Sequence, residues 1–315
     1  MEHRVAIAGA GVSGLTCGVL FAEQGHRTAI FAKEIAQQTT SGAAAALWFP
    51  YDVEPADRVI PWALETRRVL IDLAHNSDSG VSMIELRQFS RNEKLEIPDW
   101  AIWLGASVIP SEGDESRGFT NGFTLTVPLM DTTIYLDYLA ARFLKAGGEI
   151  NADVCFEKLE DVASKFDLVI NCAGVGAREL VHDTDLESHR GQVAIVPRMK
   201  DLPYAVVCDD APLMYAIPRR NDCVFGGTNE LSEDLVADPA TTTRIVAECG
   251  RTLKIENPNV ISERVGLRPF RKSGVRVERA HLHDDRTVVH NYGHGGSGFT
   301  LSWGSAREVV RLARL

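Results

Sequence analysis

The stretch Val5-Ala6-Ile7-Ala8-Gly9-Ala10-Gly11-Val12-Ser13-Gly14 decides the fold. Four small or branched apolar residues in a row read as a short strand buried on both faces, and a glycine turn follows at once. A helical pattern then covers residues 12–24, and residues 27–32 read as a second strand, which gives a β-α-β unit. In that setting G-x-G-x-x-G is a dinucleotide fingerprint. The first glycine makes the turn, the second lets the backbone approach a pyrophosphate, and the third lets helix and strand pack closely. The phosphates then sit on the free N–H groups at the helix start. An acidic residue for the ribose is expected at the end of the second strand, but that position is Ala32, followed by Lys33-Glu34. A nicotinamide dinucleotide is thereby disfavoured.

Working outward, residues 54–75 carry spaced apolar positions among charges and predict a helix. Short alternating runs broken by turn residues over 77–128 predict a mostly antiparallel sheet. A helix follows, with Asp131 or Thr132 as N-cap and Gly147-Gly148 as its stop. Residues 167–171 read as another parallel-type strand, and 190–232 as antiparallel strands near 191–197, 204–208, 213–217 and 222–228. A helix over about 240–254, a glycine cluster at 293–298 and a helix over about 299–314 close the chain. The expected organisation is a discontinuous first domain of residues 1–78, 140–188 and 262–315, with a β-rich second domain of residues 79–139 and 189–261 inserted twice.

Composition narrows the function. At about 150 residues per domain, 315 residues suit two domains. Charges of 33 basic against 43 acidic residues leave a net −10, which argues against a nucleic-acid partner or an anionic membrane surface and favours a small molecule. The six cysteines, at 17, 155, 172, 208, 223 and 249, show no metal-site or disulfide spacing, and no metal is expected. Residues 5–22 form an uncharged stretch that imitates a signal peptide, but glycines 9, 11, 14 and 18 interrupt it. No other segment approaches a membrane span.

Five segments then carry a resemblance. They are Thr39-Thr-Ser-Gly-Ala-Ala-Ala-Ala-Leu-Trp-Phe-Pro-Tyr51, Asn171-Cys-Ala-Gly-Val175, Arg190-Gly-Gln192, Gly266-Leu-Arg-Pro-Phe-Arg271 and His290-Asn-Tyr-Gly-His-Gly-Gly-Ser-Gly298. Their order and spacing resemble those of the D-amino acid oxidases, from residue 4 to the final helix. The resemblance implies a Rossmann-like FAD-binding domain of the glutathione-reductase type with an inserted, mostly antiparallel substrate domain, that is, α/β joined to α+β. It implies non-covalent FAD and oxidation of D-amino acids by hydride transfer to flavin N5, giving 2-oxo acid, ammonia and, from O2, hydrogen peroxide.

The same resemblance implies residue roles. Arg268 would clamp the α-carboxylate, since a planar guanidinium makes two parallel charge-assisted bonds to it. Tyr215 would add a hydroxyl, and Gly296 would leave room at the amine. Asn229, Leu213 and Trp48 would face the substrate side chain. FAD contacts would fall on Gly9, Ala10, Gly11, Val12, Ser13, Gly14, Lys33, Glu34, Thr39, Thr40, Ser41, Ala46, Leu47, Phe156 and Ala173, and on Gly293, Gly295, Gly296, Gly298, Phe299 and Thr300. His294 is expected to pack near the flavin rather than act as a base, because hydride transfer needs none, and Arg271 is expected to be structural.

Three departures matter. Mammalian members carry a lid tyrosine four residues before Tyr215, where this chain has Ala211 in a short segment, so bulky D-amino acids should be accepted. Oxidases of acidic substrates place an arginine where this chain has Asn229, which favours neutral D-amino acids. The chain ends in Leu312-Ala-Arg-Leu315 rather than a peroxisomal tripeptide, and a cytoplasmic location is expected. Family analogy suggests a homodimer. The alternatives are a flavin oxidase of D-aspartate, glycine or sarcosine, an NAD-dependent dehydrogenase and a flavin-binding protein without turnover.

Overall fold

The computed structural model describes residues 3–92, 96–109, 118–256 and 258–313. Its first sheet has six strands in the order β14-β15-β7-β1-β2-β6. These are β1 (Arg4–Ala10), β2 (Arg27–Ile35), β6 (Glu149–Asn151), β7 (Leu168–Asn171), β14 (Arg276–His281) and β15 (Thr287–Tyr292). β1 pairs in parallel with β2 on one side and β7 on the other, and Val5, Ala6 and Ile7 are fully buried. A central parallel strand is covered on both faces, which is why its sequence is an unbroken apolar run.

Eight helices are described: α1 (Val12–Glu23), α2 (Thr40–Ala43), α3 (Ala56–Leu73), α4 (Asp99–Trp103), α5 (Thr132–Lys145), α6 (Ala177–Leu180), α7 (Pro239–Leu253) and α8 (Gly298–Ala313). Arg314, to which the sequence pattern carries the last helix, lies outside the described residues. α1 packs against α5 and α8, and α3 against α8. Asp131 is the N-cap of α5, its Oδ1 accepting the Thr133 N–H at 3.1 Å. Gly147, just past the last turn, takes φ +89°, the left-handed conformation that stops a helix.

The second sheet runs β12-β8-β11-β10-β9-β3-β5-β4, with β13 also paired to β8. Its strands are β3 (Val81–Ser90), β4 (Ser107–Ile109), β5 (Asn121–Met130), β8 (Leu186–Pro197), β9 (Ala205–Cys208), β10 (Met214–Pro218), β11 (Asp222–Gly226), β12 (Glu230–Leu231) and β13 (Ser262–Arg271). All its pairings are antiparallel except β3 with β9.

The sheets cut the chain differently from the sequence boundaries at three places. β13 was expected with the first domain as part of 262–315, yet it pairs along β8 in the second sheet from Ser262 opposite Ile195 to Arg271 opposite Leu186. Residues 132–139 were expected with the second domain, yet they open α5, which packs on α1. Residues 186–188, expected in the first domain, begin β8. The physical reason is that α5 and β8 each run unbroken across a boundary drawn from composition, and that β13 takes its place only through its pairing with β8.

Candidate active site

One cavity of about 720 Å³ runs from the turn after β1 to the far sheet. At its first end Gly9 holds φ +106°, and a Cβ there would lie 2.3 Å from the Cys172 carbonyl oxygen. A Cβ on Gly14 would lie 2.0 Å from the Gly9 oxygen, so Gly14 sits behind the turn rather than on the wall. Ala10, Gly11, Val12 and Ser13 do line the cavity. Gly11, the N-cap of α1, has no side-chain cap, and the first turn holds no acidic residue. The Val12 N–H donates to Ser41 Oγ at 3.0 Å. The positive end of α1 thus faces the cavity, as an anion site requires.

Lys33 and Glu34, Thr39, Thr40 and Ser41, Phe156 and Ala173 continue this wall. Ala46, Leu47, Gly295, Gly296, Gly298 and Phe299 line the middle. Gly293 and Thr300 do not. Gly293 backs onto Arg271, where a Cβ would lie 2.9 Å from that side chain's Cβ. Thr300 fixes the wall from behind: its hydroxyl accepts the Phe49 N–H at 3.1 Å and donates to the Phe49 oxygen at 3.0 Å. Ser297 does the same for Tyr51, at 2.8 and 2.6 Å. The start of α8 therefore positions residues 49–51.

The other end of the cavity is built by β10, β13 and the segment around Tyr51. Arg268 on β13 donates from Nη1 to the Thr228 oxygen at 2.9 Å and to Asn229 Oδ1 at 3.4 Å. Among the described residues no carboxylate forms an ion pair with it. Tyr215 on β10 lies over Gly226 and Gly227, where Cβ atoms would come within 2.0 and 2.6 Å of its side chain. Gly191 lies under Arg268 in the same way. Burial raises the Tyr215 phenol above its ordinary value, and Arg268 draws it partly back. A Cβ on Gly296 would lie 2.7 Å from the Tyr51 ring and 3.7 Å from Arg268 Cδ, so this glycine sits between them.

Leu213 is on the cavity wall. Trp48 is not a pocket residue. It is fully buried, its Nε1 donates to the Ala63 oxygen at 2.9 Å, and its ring packs edge-on against Trp100 at 5.5 Å. Along the chain, Leu47 and Phe49 face the cavity and Trp48 between them faces the core, so the wall takes alternate residues. Asn229 is exposed beside the cavity, its amide donating to Asp52 Oδ2 at 3.3 Å and to Tyr51 Oη at 3.5 Å.

Tyr51, Asp209, Gln88 and Phe49 also line the cavity and were given no role from the sequence. Tyr51 and Phe49 stand inside a quoted motif, and Asp209 inside the short segment noted before Tyr215, so their positions were visible. Phe49, Tyr51 and Asp209 lie outside the helices and strands, where no periodicity marks them. Burial pushes the Tyr51 phenol up to about 12, with Asp209 adding to the rise and Arg268 opposing it.

His294 is buried, its Nε2 lies 3.1 Å from Asn291 Oδ1, and burial pushes it down to about 4. It is neutral at physiological pH. Arg271 is structural, donating from Nε to Asp183 Oδ2 at 2.8 Å and from Nη1 to the Gly274 oxygen at 3.1 Å. Among the described residues no group of three or more His, Cys, Asp or Glu could hold a metal, and no helix is long and apolar enough to cross a membrane.

With this geometry the comparisons agree. The chain belongs to the FAD dependent oxidoreductase (DAO) family, whose model matches residues 4–312. It is 36% identical over 314 residues to a D-amino-acid oxidase of Rubrobacter xylanophilus, covering 98% of this chain and 95% of that one. It is also 36% identical to a D-amino-acid oxidase of Streptomyces coelicolor, over 99% of this chain and 97% of that one. Among solved structures it resembles glycine oxidase from Geobacillus kaustophilus in fold, with a TM-score of 0.83, 18% identity and coverage of 99% and 95%.

The cavity fits FAD on its own features. Its volume lies in the range of ligand sites, and the start of α1, whose N-cap Gly11 has no side chain, opens into it. A side chain at Gly11 would crowd Ser41 Oγ at 3.1 Å, so the backbone is bare where a pyrophosphate needs close approach.

Proposed function

We propose that the chain oxidises D-amino acids, with FAD held non-covalently between the turn after β1 and the loop before α8. The observation that carries this reading is the Arg268 guanidinium, free of any carboxylate partner among the described residues, beside the Tyr215 phenol in the cavity that the α1 N-terminus also faces.

When bound, FAD supplies the two-electron acceptor and returns the electrons to O2 as hydrogen peroxide. Ala10 to Ser13 would carry the pyrophosphate, Lys33 and Glu34 the adenosine end, and Ala46, Leu47, Gly295 and Gly298 the ring system. Arg268, anchored through Nη1 on the Thr228 oxygen, takes the substrate α-carboxylate with its remaining N–H groups. Tyr215, whose raised pKa keeps it protonated at neutral pH, donates to the same carboxylate. Gly296, having no side chain between Tyr51 and Arg268, leaves room for the amine.

Fixing the carboxylate at two points orients the Cα–H bond, and such positioning lowers a barrier without a proton acceptor. His294, neutral and hydrogen-bonded, needs no catalytic part. The resulting imine is hydrolysed to a 2-oxo acid and ammonia. Asn229 offers no positive charge to an acidic side chain, so neutral D-amino acids are preferred over D-aspartate. The proposal includes a cytoplasmic homodimer, for which light scattering and cell fractionation are the checks.

The functional test is peroxide release by FAD-loaded protein across D-amino acids, their L-enantiomers, glycine, sarcosine and D-aspartate. Turnover confined to glycine or sarcosine would replace this reading with that of the related flavin oxidases.

A further inference from the structure

Two acidic residues stand side by side after β9 and meet opposite surroundings. Asp210 is fully engaged: its carboxylate accepts from Ser90 Oγ at 2.7 Å, from the Arg91 N–H at 2.7 Å and from Asn92 Nδ2 at 2.9 Å. Asp209 instead lines the cavity, and among the described residues its one hydrogen-bond donor is Gln88 Nε2, at 3.0 Å. No basic side chain among the described residues pairs with it. The charges that act on it, Asp210 and Asp52, share its sign. Gln88 Oε1, also on the wall, has no hydrogen-bond partner among the described residues. This part of the cavity therefore presents a carboxylate and an amide oxygen with no cation beside them among the described residues.

A carboxylate among like charges, even one that water still reaches, is favoured by a cation placed beside it. Asp209 stays accessible to water, the cavity side of its surroundings raises its carboxyl to about 6, and it is ionised in mildly alkaline solution. Arg268 supplies the opposite charge in the same compartment, since the Tyr51 phenol is pulled one way by Asp209 and the other by Arg268. Val207 stands between Gln88 and Tyr215 across the sheet, and apolar Phe49, Leu86 and Leu213 line the same cavity. An aliphatic stem with a carboxylate at one end and a cation at the other matches that sequence of surfaces.

Resting on the D-amino acid reading above, we propose that Asp209 is a specificity-determining residue that admits D-amino acids with a cationic side-chain end, such as D-lysine and D-ornithine. Asp209 receives the side-chain ammonium, the apolar wall takes the methylenes, and Arg268 with Tyr215 takes the α-carboxylate. Neutral side chains still enter, because they leave the carboxylate as it is in the free enzyme. Acidic side chains are repelled by Asp209 as well as unserved by Asn229, so specificity is set by both attraction and repulsion.

The test compares kcat/KM for D-lysine and D-ornithine with that for D-methionine, by peroxide release from the FAD-loaded enzyme at pH 8. Wild type is expected to oxidise D-lysine within about tenfold of D-methionine. Asp209→Asn is expected to lower the D-lysine to D-methionine ratio tenfold or more, mainly through KM for D-lysine. The charge reversal Asp209→Lys is expected to abolish D-lysine turnover and to gain activity on D-glutamate, a gain that misfolding does not produce. An equal fall on both substrates in Asp209→Asn would assign the carboxylate to the α-ammonium or to packing and overturn the proposal. An unchanged ratio, or wild type that oxidises D-methionine but not D-lysine, would overturn it while leaving the D-amino acid reading intact. If wild type oxidised no D-amino acid, both readings would fall.

Discussion

Replacing Gly191 by alanine tests the clamp without touching either of its side chains. Gly191 lies on β8 under Arg268, and a Cβ there would sit 2.5 Å from both Nη1 and Nη2 of the guanidinium. Ordinary contact begins near 3.4 Å, so the guanidinium must give by about 0.9 Å. What yields is the end of a flexible side chain, and Gly191 has no positive φ, so the cost to stability is small, below about 1 kcal/mol. The 2.9 Å bond from Nη1 to the Thr228 oxygen does not survive such a shift unchanged. A misplacement of about 1 Å in a positioning group costs roughly 100-fold in rate, or about 2.7 kcal/mol of barrier. The assay is steady-state peroxide release with D-methionine, with flavin absorbance and thermal melting on the same preparation. The expected result is a fall in kcat/KM near 100-fold in a yellow protein that melts close to wild type. A kcat/KM within about threefold of wild type would refute the claim that the guanidinium must stand where it does.

Three further outcomes follow from the site and its surroundings. Arg268→Leu should reduce D-amino acid oxidation by at least about 1,000-fold, since it removes a charge-assisted bidentate contact, while bound flavin stays visible by absorbance. The connection Asp209–Leu213 between β9 and β10 is five residues long, too short for a large lid, so D-phenylalanine and D-leucine should turn over faster than D-alanine at saturation. Equal or faster turnover of D-alanine would count against this. Burial pushes His290 and His294 down to about 4, from an ordinary value near 6.5, so the unfolded chain binds protons that the folded one refuses and stability falls as pH drops below about 6.5. Asp209, raised to about 6, works in the opposite sense by less than one proton. The two histidines together give a slope near pH 5.5 of at most about two protons, roughly 2.5 kcal/mol per pH unit, and urea unfolding at fixed excess FAD should show His294→Asn about halving it.

How much of this was legible in the sequence depends on what each element answers to. β1, α1 and β2 follow from local pattern because a buried parallel strand must be an apolar run and the turn after it must hold Gly9 at φ +106°. The α5 boundaries follow from its cap at Asp131 and the stop at Gly147. β13 was missed, since Ser262-Glu-Arg-Val-Gly-Leu-Arg-Pro-Phe-Arg271 contains four charged residues and a proline and shows no clean alternation. Pairing along β8 makes it a strand, and its partners lie 67 to 85 residues away in the chain. Arg268 was found from its motif, whereas the unpaired state of its guanidinium appears only once the fold is built. Trp48 failed as a pocket residue because the motif gives its position but not the direction of its side chain, which alternates into the core. Asp209 and Asp210 are indistinguishable in sequence, and only their neighbours separate a fully bonded carboxylate from one that lines the cavity.

Peroxide release by FAD-loaded protein supplied with D-methionine or L-methionine bears most directly on the whole account. The account predicts one peroxide and one 2-oxo acid for each D-methionine consumed, and no peroxide from the L-enantiomer. A yellow, folded protein that released no peroxide from any D-amino acid, or that oxidised both enantiomers alike, would contradict it.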